Sequence, residues 1–151
     1  MEELRMMLVD DEERFLSTTK KLLAKRGYDV VTATNGSEAL ELLRIQNIHV
    51  VVLDVKMPGM DGIETLKAIK RSFPLVEVIM LTGHATVESA VDGLKSGATD
   101  YLMKPTDVND LIEKVEEAFS KRQVLESRIR VAQTRSFMKS PRDIIRESEE
   151  T

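Results

Sequence analysis

The sequence predicts an α/β fold: a doubly wound, five-stranded parallel sheet in the order 2-1-3-4-5, with a helix after every strand. Three observations carry this. Short apolar runs, such as Met6-Met7-Leu8-Val9 and Val50-Val51-Val52-Leu53, alternate with longer stretches of helical period. The runs are apolar throughout, the pattern of strands buried on both faces. The connections between them are short, so each strand and the next helix form one unit. Right-handed crossovers then leave few topologies, of which this order is the common five-stranded one.

The elements follow in turn. Arg5 to Val9 reads as the first strand, and Asp10-Asp11-Glu12-Glu13 follow it. The first helix carries Phe15, Thr19, Leu22, Leu23 and Arg26 on one stripe, and Gly27 closes it. Tyr28 to Ala33 is the second strand. Asn35-Gly36 turns the chain, and Ser37 is the expected N-cap of a helix burying Ala39, Leu40, Leu43 and Ile45. Val50 to Leu53 is the third strand. The helix after Gly62 turns Ile63, Leu66, Ile69 and Phe73 inward and stops at Pro74. Val76 to Leu81 is the fourth strand, followed by Thr82-Gly83-His84. Thr86 is the expected cap of a helix with Val87, Ala90, Val91 and Leu94 on its inner face, closed by Gly97. Asp100 to Met103 is the fifth strand, running into Lys104-Pro105. The last helix starts near Val108 and buries Leu111, Ile112, Val115, Ala118 and Phe119.

Composition narrows the function classes. A chain of 151 residues bounds one domain with an appendage. No apolar run approaches the roughly 18 residues of a membrane span. The first strand begins too early to leave room for a signal peptide, so a cytoplasmic setting is expected. The absence of cysteine excludes disulfides and thiolate metal sites. Residues 1–119 carry 14 Lys and Arg against 21 Asp and Glu, whereas residues 120–151 carry 8 against 5. That reversal of sign divides the chain into a body, 1–119, and a basic helical extension, 120–151.

The chemistry gathers where strands end. The first strand delivers Asp10 and Asp11, the third Asp54, the fourth Thr82 and the fifth Lys104. In a parallel sheet these ends share one edge, and strands one and three are neighbours, so the three carboxylates converge. Converging carboxylates need a cation or a proton to coexist. Oxygen ligands select a hard divalent ion, and Mg²⁺ suits carboxylates plus water and phosphate. An aspartate is a competent nucleophile toward phosphorus. The Lys104 ammonium and Thr82 hydroxyl supply partners for the developing charge. The set fits phosphoryl transfer to Asp54.

Asp10-Asp11, Asp54 followed by Met57-Pro58-Gly59-Met60-Asp61-Gly62, Thr82 and Lys104-Pro105 together resemble the receiver domain of two-component response regulators, a flavodoxin-like fold. The resemblance covers about residues 4–119. It implies that Asp54 accepts a phosphoryl group from a sensor histidine kinase and that protein–protein contacts switch in response. It implies Mg²⁺ held directly by Asp11, Asp54 and the Lys56 backbone carbonyl, with Asp10 acting through water. Lys104 would pair with the phosphoryl group, Thr82 would move to hydrogen-bond it, and Tyr101 would be the aromatic that changes rotamer. The Lys104-Pro105 peptide resembles one that is cis in this family. Lys56 and His84, each two residues beyond a site residue, are expected to set the lifetime of the phosphorylated state.

Other readings are weaker. An aspartyl-nucleophile phosphatase typically has a second acid two residues after the nucleophile, where this chain has Lys56. A pseudo-receiver acting only as an interaction module conflicts with the full acidic set and Lys104. His49 and His84 lack metal-ligand spacing, the methionines read as core filler, and Gly36, Gly59 and Gly62 form no phosphate-cradling loop. In the extension, Leu125, Ile129 and Ala132 continue the seam of Leu111, Val115 and Ala118, interrupted by Arg122. This predicts one helix from Val108 to about Arg135 and, after Ser140-Pro141, a short separate one. Its exposed seam points to self-association or docking of a partner. Basic residues without interleaved aromatics argue against nucleic acid.

Overall fold

Among the described residues of the computed structural model, 3–55, 61–83 and 87–137, strands and helices alternate as β1 (Arg5–Val9), α1 (Glu13–Lys25), β2 (Asp29–Ala33), α2 (Gly36–Ile45), β3 (Val50–Leu53), α3 (Gly62–Ser72), β4 (Glu77–Thr82), α4 (Val87–Lys95), β5 (Asp100–Met103) and α5 (Val108–Phe137). All pairings are parallel, and the sheet order is β2-β1-β3-β4-β5, as expected.

The apolar runs make this sheet because successive side chains point to opposite faces and both faces are covered. Met6, Leu8, Val50, Val52, Ile79 and Leu81 face one side, against Leu16 and Leu23 of α1 and Leu111, Val115, Ala118 and Phe119 of α5. Met7, Val9, Val51, Leu53, Val78 and Met80 face the other, against Ala39 and Leu43 of α2 and Leu66 and Ile69 of α3. Gly93 of α4 lies on Met80 on this second side.

Several local expectations are corrected. Asn35, not Ser37, caps α2: its side-chain oxygen accepts from Glu38 N at 2.9 Å, and Ser37 falls inside the first turn. Ile45 is 77% exposed, and Ile48, beyond the helix, fills the core instead. In α1 the buried stripe is Leu16, Thr19 and Leu23, leaving Leu22 and Arg26 exposed. Val91 and Leu94 of α4 are exposed, because the helix turns its glycine to the sheet. Ile112 is half-buried. The expected Thr86 cap and the short helix after Ser140-Pro141 lie outside the described residues.

The long helix forms as expected and crosses residue 120 without a break. Arg122, read as an interruption of the seam, is buried: Nη1 donates to the Ile48 carbonyl at 3.2 Å and Nε to Glu126 at 2.6 Å. It therefore fastens the start of the extension to the loop before β3. Beyond it, Val124, Leu125, Ile129 and Val131 are exposed.

Candidate functional site at the carboxyl ends of the strands

Asp10, Asp54 and Lys104 each stand one position past the end of a strand, Asp11 comes one residue later, Thr82 is the last residue of its strand and Tyr101 lies within β5. Asp10 follows β1, and its N–H donates to Ala33 O at 3.1 Å. Asp54 follows β3 and donates to Val9 O at 2.9 Å. Lys104 follows β5 and donates to Thr82 O at 2.9 Å. The parallel ladder thus continues one residue past each apolar run and fixes where each polar side chain begins. Thr82 ends β4 and is buried, as are Asp10 and Asp54, while Asp11 is exposed.

Carboxylate oxygens of Asp10, Asp11 and Asp54 lie within 4.8 Å of one another. Asp10 is engaged on both sides: Oδ1 accepts the Glu12 N–H at 2.9 Å, and Oδ2 accepts from Lys104 Nζ. Lys104 also stands 3.6 Å from a Glu12 oxygen and 4.2 Å from the centroid of the Phe15 ring. Burial alone would depress the Lys104 ammonium, but the hydrogen bond to Asp10 and the charges of Asp10, Asp54 and Glu12 outweigh it and hold its pKa above the usual value.

The start of α3 approaches Asp54 and Val55 so closely that only glycine fits at position 62. A Cβ on Gly62 would lie 2.5 Å from Asp54 O and from Val55 Cα, and Gly62 N donates to Val55 O at 2.9 Å. Asp61 then caps α3, accepting from Glu64 N at 2.8 Å. Tyr101 sits on β5 opposite Met80, half-buried against the face that carries α2 and α3. The Lys104-Pro105 peptide is cis. Lys56 and His84 lie outside the described residues. A cavity of about 270 Å³ bounded by Leu43, Ile48, Phe73, Val76 and Arg122 opens at the opposite edge of the sheet, away from the acids.

Two neighbours of Lys104 were not singled out in the sequence. Glu12 read as one acid in a run, and Phe15 as core. The available signal was their distance from Asp10-Asp11, within the first turn of the following helix. The cluster's donors are all carboxylate oxygens, which fits Mg²⁺ and other hard divalent ions. A cation held there would leave Lys104 as a second positive charge at the rim.

A parallel sheet in this order, with acids from β1 and β3 facing a lysine from β5, is the architecture of a phosphorelay signalling module. Residues 6–116 match the family described as response regulator receiver domain, and the chain belongs to that family, whose members bind Mg²⁺ at an acidic pocket. It is 40% identical over 126 residues to the transcriptional regulatory protein ZraR of Klebsiella oxytoca, covering 83% of this chain and 28% of that protein. It is 39% identical over 113 residues to the DNA-binding transcriptional regulator NtrC of Escherichia coli, covering 75% and 24%. The chain thus spans about a quarter of the length of these curated relatives. Among solved structures, a CheY-like receiver domain from Methanospirillum hungatei superposes with a TM-score of 0.77 at 34% identity, covering 81% of this chain and 98% of that one.

The Gly62 contact generates a prediction. Gly62→Ala meets backbone atoms that cannot step aside as a flexible side chain would, so it should destabilise the fold by roughly 1–3 kcal/mol in urea unfolding. Stability equal to the parent would show that Gly62 does not approach Asp54 and Val55 as described.

Proposed function

We propose that Asp54 accepts a phosphoryl group from a sensor histidine kinase and that the change is read through protein–protein contacts. The observation that supports this best is the convergence of Asp10, Asp11 and Asp54 at one sheet edge with Lys104 reaching over them. In this reading an Asp54 carboxylate oxygen attacks phosphorus, the new P–O bond forms as the bond to the donor histidine nitrogen breaks, and the imidazole leaves with the electron pair. Asp11, Asp54 and the Lys56 carbonyl would hold Mg²⁺, with Asp10 acting through water. The ion supplies charge neutralisation between phosphoryl and carboxylate oxygens when bound. Lys104 adds its ammonium to that task, and the Thr82 hydroxyl donates to the product phosphoryl group. Tyr101, half-buried beside Met80, would change rotamer when Thr82 moves. The role is signalling, not turnover of a substrate, and the setting we assign is cytoplasmic.

With acetyl phosphate and Mg²⁺, intact-mass measurement should find a single phosphoryl adduct that EDTA abolishes and Asp54→Ala lacks. An adduct persisting in Asp54→Ala would overturn the assignment.

We also assign the extension, 120–151, to self-association through its exposed seam. Val124, Leu125, Ile129 and Val131 are apolar and solvent-facing on a helix that has already left its own domain. Light scattering in the presence of beryllofluoride, a phosphoryl mimic, should give a mass above the monomer that rises with concentration. Leu125→Lys with Ile129→Lys should restore the monomer while keeping Arg122 and Glu126 in place. A monomer mass for the unaltered chain would exclude self-association and leave docking of a different partner.

A further inference from the structure

The Phe15 ring is the part of the site's surroundings that the phosphoryl-transfer reading does not use. It lies on the first turn of α1, half-buried against the Leu16 side of the core, with its face 4.2 Å from Lys104 Nζ. An ammonium over an aromatic face is held by the ring quadrupole, most strongly where water is excluded. The Lys104 side chain is only 16% exposed.

The ammonium has three N–H groups and a flexible four-carbon stem. Asp10 takes one donor. Glu12 offers a second carboxylate at 3.6 Å, but its side chain is 68% exposed and would draw the ammonium outward. The Phe15 face opposes that drift without supplying a carboxylate of its own. It therefore gives Lys104 a second hold beside Asp10 without neutralising its charge.

We propose that Phe15 is a positioning residue for Lys104: its ring face holds the ammonium at the acid cluster, ready to meet the phosphoryl oxygens. This rests on Asp54 being the phosphoryl acceptor. With acetyl phosphate as donor, the bond from Asp54 oxygen to phosphorus forms, the bond from phosphorus to the acetyl oxygen breaks, and acetate leaves with the electron pair. Phe15 touches none of these atoms and acts only through Lys104.

The test compares the unaltered full chain with Phe15→Leu and Phe15→Tyr, each also in a Lys104→Ala background. Leucine keeps an apolar contact with the core but has no ring face; tyrosine keeps the face. Phosphorylation by acetyl phosphate should slow by about three- to fivefold in Phe15→Leu, the scale of one partly exposed cation–π contact. Phe15→Tyr should restore the rate, and in Lys104→Ala the change to leucine should add nothing. Without any donor, NMR should place the Lys104 ε-methylene protons upfield through the ring current in the parent and Phe15→Tyr, and at ordinary positions in Phe15→Leu. An unchanged rate in Phe15→Leu, equal slowing with and without Lys104, or unshifted ε-methylene protons in the parent would each overturn the proposal. Absence of any adduct on the parent would overturn the Asp54 reading itself, an outcome the donor-free spectra distinguish from failure of the ring contact.

Discussion

The ion pair between Lys104 and Asp10 spans the sheet, and the site depends on it. Asp10 leaves β1 and Lys104 leaves β5, with β3 and β4 between them. Three strand spacings amount to roughly 14 Å, more than the two side chains can bridge from a flat edge. The contact is made across a twisted sheet, with the Lys104 backbone still paired to Thr82 O and its long, flexible stem covering the remaining distance. Asp54 follows β3, between β1 and β5, and its charge helps hold the Lys104 ammonium protonated.

The acids are consequently not equivalent. Asp10 is buried and satisfied, with the Glu12 N–H on one oxygen and Lys104 on the other. Its charge is balanced within the protein. Asp11 is exposed and contributes an acceptor that faces outward, so it adds to the repulsion of the cluster without sharing Lys104. On the proposed reading Asp11 would meet a cation directly and Asp10 would act one step removed. Gly62 lets the start of α3 lie against the Asp54 carbonyl.

Much of this was legible because the signals were strong and local. A strand buried on both faces is an uninterrupted apolar run, so Val50 to Leu53 announced both the strand and the position of Asp54. The reach of α5 was legible because no Gly or Pro interrupts it. The failures share a cause: a side chain's hydrophobicity was taken as its direction. In α4 the sheet-facing position is Gly93, which no apolar pattern marks, and Val91 and Leu94 look outward instead. Ile45 resembles a core residue, but the helix ends there and Ile48 takes the space. Arg122 looked like a defect in an apolar seam, whereas its partner is a backbone carbonyl that sequence does not reveal. The Phe15 contact depends on side chains 89 positions apart, which no local pattern connects.

Asp10 is committed to Lys104, whereas among the described residues the Asp11 carboxylate has no cationic partner. Thermal unfolding of the metal-free protein in EDTA tests this most directly. Asp10→Asn should lower the melting temperature, because it strips a half-buried ammonium of its hydrogen-bonded partner and leaves the buried Asp10 position without that pairing. Asp11→Asn should leave it unchanged or raise it, because it relieves like-charge repulsion. A melting temperature for Asp10→Asn at or above that of the parent, with Asp11→Asn the destabilised variant, would contradict the account.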